Sequence, residues 1–221
     1  MTRTPLPLSP APDTCWLYLV RHGATANNRA RPPRLQGRRT DPPLSEEGLR
    51  QAKHTGDRLA ETRLDAVYSS PLLRARQTAE AIARPHGLKV EVIDDLVEVD
   101  VGQWEGRAWD EIERTDTEAY RLFMTDAAEH GYLGGENMQT VQSRVIPAFE
   151  QLMAANCGRT IAAAAHNVVN RVYLTHLLDL ALRQYRSVPQ DNCGVNLIRF
   201  RNGKVKLVTV NEIGHLAAIQ D

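Results

Sequence analysis

Arg21-His22-Gly23, Arg74, His166 and the carboxylates between Asp94 and Asp100 are the residues of this chain whose types could do chemistry together. Arginine presents a planar fork of N–H donors that matches phosphate oxygens, and a neighbouring glycine such as Gly23 lets the backbone approach an anion closely. A histidine held between guanidinium groups stays neutral, because a nearby like charge disfavours its protonated form. A neutral imidazole keeps one nitrogen free to attack phosphorus. His22 is the candidate nucleophile on this reading. A carboxyl group beside a bound phosphate dianion is pushed towards its protonated form, which a general acid needs in order to hand a proton to a leaving oxygen. Glu98 suits that role, with Asp94, Asp95 and Asp100 as close competitors. Once ionised, the same carboxylate would deprotonate the water that hydrolyses a phosphohistidine. Arg21, Arg74 and His166 would stabilise charge on the equatorial oxygens, work that a metal ion does elsewhere. The set therefore calls for no metal and no organic cofactor.

Each residue also has an ordinary reading: Arg21 and His22 in a solvated loop, Arg74 on an exposed helix face, His166 as a hydrogen-bonded structural histidine. The elements around them favour the chemical one. Cys15 to Val20 is a continuous apolar run that stops at Arg21, as a doubly covered strand stops at a loop. A helix starts at Ser45 with Leu49, Ala52, Gly56, Leu59 and Ala60 in one stripe. Ala66-Val67-Tyr68 reads as a strand, and Ser70-Pro71 as the N-cap and first position of a helix to about Arg84. Val90 to Ile93 is a further strand, and residues 100–135 hold short helical patterns broken by glycines, an irregular lid. Met138, Val141, Val145, Phe149 and Leu152 mark an amphipathic helix. Thr160 to Ala165 is alanine-rich, which favours helix, yet its place between helices argues for a strand. Asn167 to Leu180 reads as a buried helix, and Asn202-Gly203 as the turn of a terminal hairpin. The order predicts a three-layer α/β/α sandwich with a mostly parallel mixed sheet. In such sheets ligands bind outside the carboxyl ends of the strands, where Arg21-His22, Arg74, Glu98 and His166 all fall.

The 221 residues with 42% hydrophobic content suffice for one domain with one core. Lysine plus arginine equals aspartate plus glutamate at 27 each, so nothing points to a nucleic acid or an anionic membrane as partner. Cys15, Cys157 and Cys193 are odd in number and widely spaced, which argues against a disulfide framework and a zinc site and suits the reducing cytoplasm. No apolar run approaches a membrane span and the N-terminus lacks a secretory h-region. Residues 1–14, with four prolines, read as a mobile tail ahead of a domain over 15–221. Trp104 and Trp109 read as lid packing, and the remaining histidines as structural or surface residues.

Leu17 to Asn28, Gln36-Gly37, Asp41 to Gly48, Ser69 to Ala79, and Leu96-Val97-Glu98 followed by Gly102 to Gly106 together resemble the histidine phosphatase, or phosphoglycerate mutase-like, superfamily over about residues 15–210. The resemblance implies the phosphoglycerate mutase-like α/β fold and a phosphohistidine on His22. It implies Arg21, Arg74 and His166 in the phosphate pocket, Asn28 as an added phosphate contact, and Glu98, rather than its aspartate neighbours, as proton donor. It also places Gln36, Gly37 and Asn167 among the substrate-binding positions. Asn167 stands where glycine is usual, and Ala24 where an acidic residue is common. Asparagine tolerates a left-handed backbone, so the pocket should survive the first change.

The leading expectation is a phosphomonoesterase acting on a small phosphorylated metabolite. A cofactor-dependent phosphoglycerate mutase is its rival, and a phospho-ligand-binding module without turnover the second. The mutases carry a longer insertion between acid and second histidine, whereas Glu98 and His166 are 68 positions apart. Arg29, Arg31, Arg34, Arg38 and Arg39 occur without an acidic residue among them, either as a solvated loop or as a funnel for a second anionic group. The hairpin and the buried helix could support a homodimer.

Overall fold

A computed structural model describes residues 10–219 of the chain. Strand β1 (Thr14–Arg21) lies at the middle of a six-stranded sheet. The other strands are β2 (Ala66–Ser69), β3 (Val90–Val92), β4 (Thr160–Ala165), β5 (Val195–Arg201) and β6 (Lys204–Glu212), in the spatial order β3-β2-β4-β1-β5-β6. β1 to β4 run parallel, while β5 and β6 add antiparallel to one edge. The mixed, mostly parallel sheet and its two helical layers are those the sequence predicts.

Alternation along the central strands divides the core. Leu17 and Leu19 face the layer of α6 (Met138–Ala155) and α7 (Asn167–Leu177), and Tyr18 and Val20 face that of α2 (Glu46–Leu59) and α3 (Leu73–Ala83). β4 is fully buried between β1 and β2, and its alanines project to both faces. Position in the sheet overrides their helical propensity. Asn202 and Gly203, at φ 50° and 73°, make the hairpin turn, as an Asn-Gly pair should.

Three expectations need correcting. Residues 1–9 of the expected mobile tail lie outside the described residues, but 10–14 are held: Thr14 opens β1, its N–H donating to the Ala11 carbonyl, and Arg201 pairs with Asp13 at 3.0 Å. The lid is more regular than its glycines suggest. Between α4 (Trp109–Thr115), α5 (Thr117–Thr125) and the following turns, Trp104, Trp109, Phe123 and Tyr132 form an aromatic core, with Phe123 and Tyr132 ring centroids 4.4 Å apart. Ser70 does not cap α3, which begins at Leu73 with no side-chain cap. No helix among the described residues is long and apolar enough to cross a membrane.

Candidate active site

Register sets the site. Arg21 pairs with Ala165 across β1 and β4, and Ser69 with Ala164 across β2 and β4, so three parallel strands end level and release His22, Ser70 and His166 at one edge. The His22 N–H donates to the Ala165 carbonyl at 3.0 Å, and the Ser70 N–H to the Ala164 carbonyl at 3.0 Å. The two imidazole centroids come to 5.2 Å.

His22 is 3% exposed. Its Nδ1 lies 2.7 Å from the Gly23 carbonyl oxygen, so that nitrogen carries the proton and Nε2 keeps its lone pair. Burial, then Arg74 and Arg21, hold its pKa well below the usual imidazole range. The neutral histidine is as expected, with burial rather than the guanidiniums as leading cause. Gly23 has a different use from the anion approach expected of it: a Cβ there would fall 2.6 Å from the Gly48 carbonyl oxygen, so its smallness lets the loop pack on α2.

Arg74 and His166 are fully buried, behind the cleft wall rather than on it. The Arg74 Nη groups donate to the Gly37 carbonyl at 2.8 Å and the Thr40 carbonyl at 3.1 Å, and Asp41 lies 3.5 Å away. Gln36, oriented to satisfy its neighbours, accepts from Arg74 Nε at 2.6 Å and donates to Thr25 Oγ1 at 2.7 Å. Gly37 does not line the cleft; it holds Arg74 through its carbonyl, and its N–H donates to Glu105 at 2.7 Å. His166 Nε2 meets the Ser70 hydroxyl at 2.7 Å, while its Nδ1 has no partner. Burial first, then Arg74 and His22, keep His166 neutral as well.

Glu98 is separated from its aspartate neighbours by burial. It is 3% exposed, Asp94 and Asp95 are exposed, and Asp100 is tied to Arg38 at 2.9 Å and Arg39 at 3.2 Å. The Glu98 carboxylate accepts from the N–H groups of Val99 (3.0 Å), Val168 (3.3 Å) and Val169 (3.4 Å), the last two at the start of α7. Burial raises its pKa, opposed by the Val99 N–H and by Arg74.

Arg21, His22, Asn28, Gln36, Glu98 and Asn167 line a cleft of about 160 Å³ that Arg34, Val99, Trp109 and Tyr132 continue outward. Burial brings the Arg21 pKa down to about 10. Asn28 is fixed by a reciprocal cap with Thr25 at α1 (Ala26–Arg29). Asn167 needs no left-handed backbone, because it is the first residue of α7, and its buried Oδ1 has no partner. Ala24 is wedged against α2, its N–H donating to Gln51 at 2.8 Å. Trp109, expected only to pack, also lines the cleft and is 36% exposed. The arginine loop is partly neutralised: Arg29 pairs with Glu47 at 2.7 Å, and Arg38 and Arg39 share Asp100, while Arg34, on the cleft, donates to the Gly106 carbonyl at 2.9 Å. Among the described residues no group of three or more His, Cys, Asp or Glu is placed to hold a metal ion.

Sequence reasoning missed the segment that straps the nucleophile loop. The Arg21 side chain donates to the Gln190 carbonyl, Asn192 Nδ2 donates to the His22 carbonyl at 2.9 Å, and the Cys193 N–H to the Arg21 carbonyl at 3.0 Å. The signal was the amide-rich run Gln190-Asp191-Asn192 just before an apolar strand, whose polar groups need partners.

The model of the histidine phosphatase superfamily (branch 1) matches residues 17–213. The chain belongs to this superfamily. Phosphoserine phosphatase 1 of Hydrogenobacter thermophilus is 32% identical over 200 residues, covering 90% of this chain and 93% of the relative. A probable phosphoglycerate mutase GpmB of Salmonella paratyphi A is 29% identical over 208 residues, covering 91% and 95%. The solved structure of phosphoserine phosphatase from Entamoeba histolytica in complex with 3-phosphoglyceric acid superposes with a TM-score of 0.80 at 28% identity, covering 91% of this chain and 99% of that one. The six-stranded sheet is thus the phosphoglycerate mutase-like fold of the superfamily.

Proposed function

We propose that this member of the superfamily is a phosphomonoesterase that hydrolyses a small phosphorylated metabolite through a phosphohistidine on His22. The observation that carries the reading is the His22 tautomer: the Gly23 carbonyl holds the proton on Nδ1, which leaves Nε2 as a nucleophile in a cleft that also holds a buried carboxyl. Nε2 attacks phosphorus as the bond to the ester oxygen breaks, and protonated Glu98 gives its proton to the departing alkoxide. Water then attacks the phosphohistidine, Glu98 takes a proton from it, and the N–P bond breaks to release inorganic phosphate. Arg21 and Asn28 supply donors to the transferring group on the cleft surface, and Arg74 and the His166 Nδ1–H add fixed positive charge and polarity from behind its wall. Gln36 and Gly37 act by aiming Arg74, and Asn167 lies at the substrate rim. The cationic side chains provide the charge that this step requires.

The phosphoserine phosphatase and the 3-phosphoglycerate-bound relative support a small, acidic phosphate ester as substrate. A mutase runs the same first step, then returns the phosphoryl group to bound substrate. The 68 positions between Glu98 and His166 leave room for only a short lid, which supports transfer to water. The free cysteines suit a reducing cytoplasm. Phosphate release from phosphoserine, 3-phosphoglycerate, sugar phosphates and p-nitrophenyl phosphate, with and without EDTA, tests the reading beside His22→Ala. Release by the intact chain that the variant loses supports it. No release from any ester, or turnover that survives in His22→Ala, overturns it.

A further inference from the structure

Behind the aromatic side chains that line one end of the cleft stand two cations that the phosphate chemistry does not use. Arg171 lies one turn beyond Asn167 on α7 and so shares the face that Asn167 presents to the cleft. Arg186 sits in the short 3-10 segment Leu182–Ser187. Its guanidinium carbon is 4.6 Å from the ring centroid of Phe123, 5.3 Å from that of Tyr185 and 6.0 Å from that of Trp109. Both side chains are partly buried, and neither makes an ion pair among the described residues, whereas Arg29, Arg38, Arg39 and Arg74 each have a carboxylate. Arg171 Nε and Arg186 Nη2 are buried N–H groups without a hydrogen-bond partner. Arg21, the cation at the phosphate end, has the same feature in its unpartnered Nε. Burial leads in lowering the Arg171 pKa, and the charge of Arg186 lowers it further, opposed by Tyr185, Tyr132 and Glu98. Like charges held together and buried donors left unpaired are both unfavourable, and an anion bound between the two guanidiniums relieves both. A cleft of about 160 Å³ admits, beyond a phosphate, a body of only a few atoms, so the anion must be compact.

We propose that Arg171 and Arg186 form a second anion subsite that takes a carboxylate carried on the body of the phosphomonoester. The inference rests on the phosphomonoesterase reading of the same cleft. It moves the second anion from the loop of residues 29–39, where Arg29, Arg38 and Arg39 are paired, to α7 and the segment that follows it. Trp109 and Tyr132 border the path between the two anions.

The test reads binding rather than turnover. On a His22→Ala background, which keeps the ester intact, titration calorimetry gives Kd for O-phosphoserine and for O-phosphoethanolamine, two esters that differ by one carboxylate. Phosphoserine should bind at least tenfold more tightly, and Arg186→Gln or Arg171→Gln should reduce that ratio to about twofold, with Arg186→Lys recovering part of it. An unchanged ratio, equal weakening of both esters, or no preference in the parent overturns the subsite. If one glutamine variant fails to fold, the other carries the same measurement. Failure of the intact chain to release phosphate would sink the proposed function, whereas the subsite stands or falls on the ratio.

Discussion

Gly48 is remote in sequence from every proposed catalytic group, yet replacing it with alanine should disable the site. It is the third residue of α2, where its N–H donates to the capping Ser45 Oγ at 3.1 Å. A Cβ built there would lie 2.0 Å from the Ala24 carbonyl oxygen, 2.8 Å from the Ala24 nitrogen and 2.9 Å from its carbonyl carbon. All three atoms are backbone, so no side chain can swing aside, and reaching an ordinary contact requires the loop to retreat by about 1.4 Å. The residue pushed is two positions from His22. A displacement of that size at a reacting group costs about 100-fold in rate, or about 2.7 kcal/mol of barrier. Stability should suffer less: about 1–3 kcal/mol from overpacking, offset by about 1 kcal/mol of gained helix propensity. The assay is kcat with the best ester, beside urea unfolding of the same variant. Gly56→Ala is the control, because its Cβ would meet the Ala81 carbonyl oxygen at 2.3 Å, between α2 and α3 and away from the cleft. It should lose stability and keep kcat. A Gly48→Ala variant within threefold of the parent in kcat would refute the claim that α2 sets the position of the nucleophile loop.

Two further outcomes follow from burial. His22 and His166 have pKa values held well below the ordinary 6.5, so below that pH the unfolded chain binds more protons and stability falls as the pH drops. Between pH 7.5 and 5.5 the pair should remove roughly 2–3 kcal/mol, read as urea midpoints, and a flat profile would contradict neutral buried imidazoles. Glu98, with its raised pKa, acts in the opposite sense, its contribution falling as pH rises through its folded pKa. Ser70→Ala leaves the His166 Nε2 without its partner and should cost about 1–3 kcal/mol of stability, with a fall in kcat/KM of about tenfold. Equal activity in the variant would reduce Ser70 to a packing residue.

The strand-end chemistry was legible because it needs only topology. An apolar run that stops at Arg21-His22, and an alanine-rich run that stops at His166, must release those side chains at one edge once both strands are parallel neighbours. Glu98 was not separable from Asp100 on the same grounds, since their difference is tertiary: Asp100 meets Arg38 and Arg39, while Glu98 meets the start of α7. Ser70 was misread for a related reason. Ser-Pro is a sound helix-start signal, but the register of β2 against β4 puts His166 within reach of the hydroxyl, and a buried imidazole nitrogen without that partner would be costly.

The arginines make the same point about substrate. Local charge counting favoured the loop of residues 29–39, where the cations are adjacent in sequence, yet folding brings Glu47 and Asp100 to three of them. Arg171 and Arg186 drew no attention because one sits in an apolar helix and the other in a short irregular segment. What gives them consequence is the lack of a carboxylate partner among the described residues, and that can be judged only when every neighbour is in place. Reaction chemistry is carried by residues that the sheet must bring together in any chain of this fold, so it can be read from spacing. On the proposed subsite, substrate preference rests on which cations remain unneutralised beside the cleft, and that depends on the whole tertiary arrangement.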